Sequence, residues 1–299
     1  SYTYSVEKVN GEVTEYTDSY AFANVTKPED YKAFLAGEEK NAAHIFGAHE
    51  RTVNGVKGVL FNVWAPKALS VSVVGEFNKY DGRVHLMERI EDTGVFELFI
   101  PGLAAGCGYM YEIKRQGKGT TRKLDPVSRQ ISSVPITASV VSDENMPDSY
   151  AWNDGLWMIK RKKEAGKKKP VTVYEVSLTD WLKEKSADEL VDFVKQEGYT
   201  HVCFLPVAEY LNEEMNGYST LGYFAVTHRT GGSDAFKKLV DDCHNAGIGV
   251  IIDWNGAYFG TEVKGLYDFD GADAYGYLKP SLEKHPEWDV VTFDYKKGA

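Results

Sequence analysis

Acidic side chains near the ends of three apolar runs are the first candidates for chemistry. Glu175 lies in the run Val171–Val176, Glu209 follows a second run, and Asp253 ends the third. Glu175 and Glu209 could act as a carboxylate pair, but a surface or scaffold role is the better interpretation for both. Asp253 is a further candidate, because it ends an apolar run that is typical of a strand. Its alternative role is a helix cap or a salt bridge.

Aromatic side chains form a second set of candidates. They make up 13% of the chain, with 19 Tyr and 6 Trp. Flat aromatic faces stack on sugar rings, but they also fill the cores of β-proteins. Trp64, Phe77 and Tyr80 are the natural stacking candidates in the β-rich part of the sequence, although Trp64 lies on an alternating strand and could equally belong to the core.

Metal, thiol and cofactor chemistry find little support. The three cysteines, Cys107, Cys203 and Cys243, are odd in number and far apart, which predicts reduced thiols in a cytoplasmic protein. His244 falls within a predicted helix, where a packing role is the simplest. The sequence contains no metal-ligand spacing, no glycine-rich phosphate loop and no calcium loop of the EF-hand type. We therefore expect no cofactor and no metal.

The charge pattern limits the partners of the chain. Its formal net charge is −10, which argues against a nucleic-acid partner. The one basic cluster, Lys160–Lys169, is best explained as a solvated linker. No apolar run approaches the 18 residues that a membrane span requires, and the first residues do not resemble a secretion signal. We expect no membrane partner and a cytoplasmic location.

Two kinds of secondary-structure pattern divide the chain. Short apolar segments between Gly, Pro, Asn and Asp turns over residues 57–141 predict an antiparallel β-sandwich. Its strands are predicted at Lys57–Trp64, Ser70–Gly75, Gly94–Ile100 and Tyr109–Ile113.

Residues 171–254 follow a βαβαβ pattern instead. Apolar strands are predicted at Val171–Val176, His201–Pro206 and Gly249–Asp253, and such strands are typical of a parallel sheet whose two faces are covered by helices. The intervening helices are predicted at Ala187–Glu197, capped by Ser186, and at Asp234–Asn245, capped by Ser233.

A short internal repeat occurs once at the start of the chain and once in the later part of the sandwich region. A hairpin followed by an aspartate occurs twice at an offset of 107 residues, so that Tyr2, Tyr4, Val6 and Asp18 recur as Tyr109, Tyr111, Ile113 and Asp125. We interpret residues 1–25 as the back edge of another sandwich.

Three blocks of sequence together carry a family resemblance. They are Gly75–Met87 followed by Gly94–Gly102, then Tyr174-Glu-Val-Ser-Leu-x-x-Trp181, then Leu205–Glu209 continuing through Gly217-Tyr218 to Cys243–Trp254. In order and spacing they resemble the bacterial 1,4-α-glucan (glycogen) branching enzymes of glycoside hydrolase family 13.

The resemblance implies a fold, an order of domains and a set of partners. The fold is multidomain β plus α/β, an immunoglobulin-like sandwich followed by an incomplete (β/α)8 barrel. The partners are α-1,4-glucans such as glycogen, amylose and maltooligosaccharides, with self-association through open barrel strands as a further expectation. The predicted segments are 1–25, the tail of a preceding sandwich module; 26–49, a linker helix region; 50–145, a family 48 carbohydrate-binding module; 146–170, a linker; and 171–299, the first part of the barrel.

The resemblance also implies a reaction and the residues that serve it. Branching enzymes cut an α-1,4 bond and transfer the chain to a 6-hydroxyl by a retaining mechanism with two carboxyl groups. In the family these follow the fourth and fifth barrel strands, so we expect no catalytic residue within this chain and no branching by it alone. The substrate-binding residues implied or proposed are Tyr218, Asp253, Tyr258, Trp64 and Tyr80.

Several positions depart from the family pattern. The family's Asp-x-Val-Pro-x-His corresponds to Asp253 followed by Asn255 and Gly256, with Tyr258 in place of the histidine that binds a sugar hydroxyl. The family's Trp-Gly-Tyr-Gln corresponds to Asn216–Ser219. These changes leave a non-catalytic glucan-binding protein derived from the family as the alternative. An isoamylase-type debranching enzyme is a third possibility, but the sequences of Gly75–Met87 and Cys243–Trp254 argue against it.

Overall fold

The computed structural model describes residues 3–39, 41–133, 135–142, 150–272, 274–277, 284–285 and 290–296. The chain forms two compact units, Ser1–Asn145 together with Gly260–Ala299, and Met146–Phe259. In the described residues, no helix has the length and apolar character that crossing a membrane would need.

Antiparallel strands build the first unit. They are β1 (Thr3–Glu7), β2 (Val13–Thr17), β3 (Gly47–Val53), β4 (Val56–Trp64), β5 (Ala68–Gly75), β6 (Glu88–Arg89), β7 (Val95–Pro101), β8 (Gly108–Arg115), β9 (Gly119–Lys123), β10 (Ile131–Ser132) and β11 (Ala138–Val140), with the one-turn helix α1 (Lys32–Leu35) between β2 and β3. One sheet has the order β3-β4-β7-β6, and the other has the order β10-β11-β8-β5 with β9 beside β8. Each of the four strands predicted in this region is confirmed.

The sandwich core arises from alternation along these strands, because every second side chain points to the same face of a sheet. The core residues of the central strands are almost fully buried: Val59, Phe61 and Val63; Val71 and Val73; Phe96, Leu98 and Ile100; Tyr109, Tyr111 and Ile113.

The hairpin β1–β2 repeats the pairing of β8–β9. Tyr4 pairs with Tyr16, and Tyr111 pairs with Lys123, so both partners are displaced by 107 (111−4 and 123−16). The turns that follow also match: Asp18 accepts a hydrogen bond from the Tyr20 amide at 2.9 Å, and Asp125 accepts one from the Val127 amide at 3.0 Å.

The exposure of the two hairpins differs. Tyr111 and Ile113 of β8 are fully buried in the sandwich, whereas Tyr4 and Val6 of β1 are 48% and 43% exposed. The two hairpins therefore share their register and their closing turn, but only β8–β9 packs in the sandwich core.

Parallel strands build the second unit. They are β12 (Val173–Val176), β13 (His201–Phe204) and β16 (Gly249–Ile252), in the order β12-β13-β16; β14 (Ala208–Tyr210) and β15 (Thr220–Val226) form a separate antiparallel pair, and β17 (Tyr258–Gly260) follows β16. The helices are α2 (Gly155–Glu164), α3 (Leu178–Trp181), α4 (Ala187–Gln196) and α5 (Gly232–Asn245).

The ends of the two long helices test the predicted caps. Ser186 caps α4 as predicted, because its hydroxyl accepts a hydrogen bond from the Glu189 amide and Glu189 bonds back to Ser186. The prediction that Ser233 caps α5 is wrong. That helix begins at Gly232, after Gly231 in the left-handed conformation (φ +84°), so Ser233 lies inside the first turn.

Helices cover only one face of the parallel sheet in the described residues. Val176, Val202 and Phe204 pack against α4 and α5 in the core of this unit. On the opposite face Val173 is 43% exposed and Ile251 is 41% exposed. The prediction of helices on both faces is therefore wrong for the described part of the chain.

Helix α2 is anchored on α5 through His244. The His244 Nδ1 lies 2.7 Å from the Asp154 carboxylate, and the imidazole stacks on Trp157 with a centroid distance of 5.0 Å. The predicted packing role of His244 is confirmed.

A returning segment completes the first unit. Phe269 is fully buried in the sandwich core, and the buried Asp270 accepts a hydrogen bond from the Lys67 amide at 2.8 Å. Arg115 forms an ion pair with Asp268 at 2.7 Å. The last described strands, β18 (Lys284–His285) and β19 (Val290–Thr292), pair with each other in this unit.

Candidate functional site

A groove of about 530 Å³ opens on the sandwich. Three segments line it: the turn after β5, the residues before and at the start of β8, and the residues from Gln130, just before β10, to the end of β11. Its lining residues include the aromatic Phe77 and Tyr80, the apolar Ile136, and Cys107 and Gln130. An apolar groove with a few polar groups is the usual form of a small-ligand site.

Tyr80 is held rigidly beside this groove. Lys79 and Tyr80 both adopt left-handed backbone conformations, with φ of 55° and 59°, which non-glycine residues rarely adopt. The Tyr80 amide donates to the Gly75 carbonyl at 2.8 Å, and the Arg122 guanidinium lies over the Tyr80 ring at 5.7 Å. Arg122 in turn donates to the Tyr80 carbonyl and to Glu112. One face of the ring is therefore occupied by a cation.

Trp64 lies elsewhere in the same unit. Its ring contacts Phe34 and Tyr275 edge to face, with centroid distances of 5.4 and 6.2 Å, and it is not among the residues that line the groove. The structure therefore brings Phe77 and Tyr80 together but leaves Trp64 in an aromatic cluster. A sugar-binding role for Trp64 stays a prediction.

Tyr218 and Asp253 meet at the carboxyl end of the parallel sheet. The Tyr218 hydroxyl donates to Oδ2 of Asp253. That hydrogen bond, together with burial and the charge of Asp253, raises the pKa of Tyr218 to about 12. The phenol therefore stays protonated at neutral pH and holds the Asp253 carboxylate in one orientation.

Asn255 connects the two loops that carry these residues. Its amide nitrogen donates to the Tyr218 carbonyl at 2.9 Å and to the Tyr258 carbonyl at 3.3 Å. The Tyr223 hydroxyl donates to the same Tyr258 carbonyl at 2.6 Å. Burial and the charge of Asp253 raise the pKa of Tyr258. The structure thus assembles Tyr218, Asp253 and Tyr258 as one cluster.

Cys203 and Glu175 occupy the same end of the sheet. They pair across β12 and β13, on the face that helices leave open. Burial, and then the charges of Glu175 and Asp253, raise the pKa of the Cys203 thiol, which makes it a poor nucleophile.

Glu209 has the scaffold role that the sequence favours. It is 2% exposed and accepts hydrogen bonds from the Thr227 hydroxyl, the His228 amide and the Arg229 guanidinium, the last at 2.9 Å. Every one of these donors belongs to the segment that follows β15, so the Glu209 carboxylate acts as a structural acceptor for it. The described residues contain no group of three His, Cys, Asp or Glu side chains that could hold a metal ion.

Sequence reasoning missed several groove and cluster residues. Cys107, Gln130 and Ile136 line the groove, and Arg122 supports it, yet none stands in a local motif. Asn255 was noticed only as a departure from a family pattern. Its hydrogen-bonding role depends on a loop 37 residues earlier (255−218), which no local signal indicates.

Comparison with known proteins gives matches for both units. Residues 45–128 match the family model described as carbohydrate-binding module 48 (isoamylase N-terminal domain). The chain is 40% identical to the 1,4-alpha-glucan branching enzyme of Methylococcus capsulatus, covering 96% of this chain and 40% of that protein. It is 40% identical to that of Nitrosococcus oceani, covering 93% of this chain and 38% of the relative. It is 39% identical to that of Gloeobacter violaceus, covering 94% and 40%.

The length and the fold complete the comparison. The chain spans about two fifths of the length of these curated relatives. A solved structure from Salmonella typhimurium, assigned provisionally as an alpha amylase, matches 84% of this chain and 38% of its own with a TM-score of 0.61 and 24% identity. That likeness shows the fold alone.

Proposed function

We propose, from the premise that this chain is related to the bacterial 1,4-alpha-glucan branching enzymes, that it supplies the glucan-binding sandwich and the first strands of the catalytic barrel of such an enzyme. The observation that carries the proposal is the groove beside Tyr80, because half of its lining residues, including Phe77 and Tyr80, lie within the region matched by the carbohydrate-binding model. Phe77 and Tyr80 offer aromatic surface for stacking on sugar rings, and Gln130 offers hydrogen bonds to hydroxyls.

The second unit supports the barrel part of the proposal. Its three strands are parallel, its helices pack on one face, and Tyr218 and Asp253 meet where the strands end. Barrel enzymes build their sites at that end. In this proposal Tyr218 stacks on a donor sugar and Asp253 supports the sugar-binding face, with Tyr258 beside them.

The transfer chemistry lies outside these 299 residues in this proposal. The family resemblance assigns the catalytic carboxyls to the fourth and fifth barrel strands, and the parallel sheet described here has three. Incubation of the chain with amylose is therefore expected to produce no new α-1,6 linkages, as measured by debranching and chain-length analysis. Clear turnover would refute this part.

The hairpin β1–β2 fits the role of an edge of a preceding sandwich. Its register and its closing turn match those of β8–β9, and its outer residues Tyr4 and Val6 are half exposed. A second sandwich sheet would bury that apolar face as the first unit buries Tyr111 and Ile113.

Binding to glucan is the direct test of the proposal. The full chain should co-sediment with glycogen, and Tyr80→Ala should weaken that binding roughly threefold to tenfold, because one stacking contact is worth about 1 kcal/mol. Tyr295→Ala is the matched control, since Tyr295 is a 73% exposed ring of the same unit outside the groove. Equal binding by both variants would remove the groove from the proposal.

Cys107 provides a second measurement without mutation. Cys107 is a half-buried free cysteine among the groove residues, so a maltoheptaose bound there should slow its alkylation by iodoacetamide. Free N-acetylcysteine, alkylated with and without the sugar, serves as the control for direct effects of the sugar on the reagent. Unchanged labelling of Cys107 at saturating maltoheptaose would contradict occupation of the groove.

A further inference from the structure

Trp254 exposes a large aromatic surface directly after Asp253. It is 60% exposed. It lies just after β16, at the carboxyl end of the parallel sheet, in the unit that also carries Tyr218 and Asp253. An exposed ring directly after Asp253, which bonds to Tyr218, places apolar surface next to a polar cluster.

The indole of Trp254 is fixed in position by its surroundings. Tyr223 contacts it edge to face, with a centroid distance of 5.9 Å and an interplanar angle of 73°. A Cβ built on Gly256 would lie 2.4 Å from Cζ3 of the indole, so the ring covers the backbone at a position where only hydrogen fits. The glycine therefore allows the ring to lie against its own loop while most of its surface stays open.

The loop that carries Trp254 is itself held at both ends. The Asp253 amide donates to the Phe204 carbonyl at 2.9 Å, and the Asp253 carboxylate accepts from Tyr218. Asn255 accepts from the Ala257 amide at 3.1 Å and donates to the carbonyls of Tyr218 and Tyr258. An exposed aromatic ring on a preorganised loop loses little conformational entropy when a ligand stacks on it.

We infer that Trp254 is a sugar-stacking platform for an α-1,4-linked glucan chain, forming an additional subsite beside the Tyr218–Asp253 cluster. This inference rests on the proposed function, since it takes its ligand class from it. The ring face supplies apolar contact with a pyranose, and the neighbouring Tyr258 and Asp253 supply polar groups for its hydroxyls. A linear glucan fits the site better than a compact ligand, because Trp254 directly follows Asp253 and one extended chain could contact both the indole and the Tyr218–Asp253 cluster.

Binding of maltoheptaose to variants of the full chain tests the inference. Trp254→Ala should weaken the affinity measured by calorimetry roughly threefold to tenfold, the range expected for one aromatic contact. Trp254→Phe should retain part of it. Trp152→Ala is the matched control, because Trp152 is a 44% exposed indole of the same unit that packs on Tyr150 away from the loop.

Gly256→Ala provides a variant that keeps the indole but displaces it. The added methyl group must push the ring from its position, so affinity should fall as in Trp254→Ala while tryptophan emission shifts relative to the unmodified chain. Thermal unfolding of each variant verifies that the fold is retained, and Trp254→Phe serves as the readout if the alanine variant fails to fold.

The outcomes separate the two proposals. Loss of affinity in Trp254→Ala and Gly256→Ala, with Trp152→Ala unchanged, supports the subsite. Unchanged affinity in Trp254→Ala together with weakened affinity in Tyr80→Ala overturns the subsite and leaves the proposed function standing. Absence of binding by the unmodified chain overturns the proposed function and the subsite with it.

Discussion

Lys123 is an amine enclosed within the sandwich. It is 1% exposed, and its ammonium donates to the Tyr267 carbonyl. Burial, and then the nearby charge of Arg115, lower the pKa of Lys123 to about 8, while Asp268 opposes that shift. An unfolded chain returns the lysine to its ordinary pKa of about 10.4.

The pH dependence of stability follows from this difference. Between about pH 8 and pH 10 the unfolded chain binds more protons at Lys123 than the folded chain, so the free energy of unfolding rises with pH in that window. Below pH 8 both states are protonated and the dependence disappears. We expect Lys123→Met to lose this rise, which amounts to roughly 2 kcal/mol.

Urea unfolding at pH 7, 8, 9 and 10 provides the measurement. The difference between the unmodified chain and Lys123→Met cancels the titration of the tyrosines, which both proteins share. Parallel curves for the two proteins across this range would contradict the depressed pKa.

Asn255 is the residue on which the Tyr218 cluster depends. Removal of its amide leaves the carbonyls of Tyr218 and Tyr258 without that donor. Asn255→Ala should lower the free energy of unfolding by about 1 kcal/mol. Asn10→Ala, in the β1–β2 turn at the surface, should change it little. Equal midpoints of urea unfolding for the two variants would show that the hydrogen bonds from Asn255 to the Tyr218 and Tyr258 carbonyls contribute nothing to stability.

Single residues were predictable only where a resemblance or a local rule applied. Asp253 could be chosen because it ends an apolar run, and Tyr218 because a family motif contains it. Arg122 and Asn255 could not, since each acts through a contact that the fold creates between distant segments.

Secondary-structure elements were predicted better than their ends. The alternation of β4 and β8 and the continuous apolar runs of β13 and β16 produced strands within a few residues of the observed ones. Helix α4 carries a serine cap and a glutamate at the third helical position, and both form their bonds. The start of α5 was misjudged because two successive glycines with positive φ replace a side-chain cap.

The two serines make a matched pair for a test. Ser186→Ala removes a hydroxyl that accepts from the Glu189 amide and should lower the free energy of unfolding by about 1 kcal/mol. Ser233→Ala lies within α5, where alanine has the higher helix propensity, and should be neutral or slightly stabilising. Thermal denaturation followed by circular dichroism measures both. A larger loss in Ser233→Ala would reverse the assignment of the caps.

At the scale of the molecule, the first unit is discontinuous in sequence. Its core includes Phe269, which is fully buried although 128 residues separate it from Val141 of the same core (269−141). Sequence reasoning did not indicate this, because two aromatics and two aspartates in the irregular segment 267–270 produce no periodic signal. The position of this segment can be inferred only from the folded sandwich, because the sandwich forms the surface against which Phe269 packs.

Phe269→Ala tests how much the returning segment contributes. Loss of a fully buried phenylalanine should lower the free energy of unfolding of the sandwich by about 3–5 kcal/mol. Phe224→Ala removes a half-exposed ring and should cost well under 1 kcal/mol. Calorimetric unfolding of the two variants compares them directly, and similar transition temperatures would show that the segment is dispensable.

The split of the first unit constrains the order in which a ribosome can deliver a finished domain. The strands through β11 emerge early, but the aromatic plug at Phe269 follows only after all of Met146–Phe259 has been synthesised. The nascent sandwich therefore stays incomplete while the intervening unit is translated, and the core residues that Phe269 later covers stay exposed. Chaperone dependence during synthesis should accordingly be greatest in that interval and should end when the chain reaches the late segment.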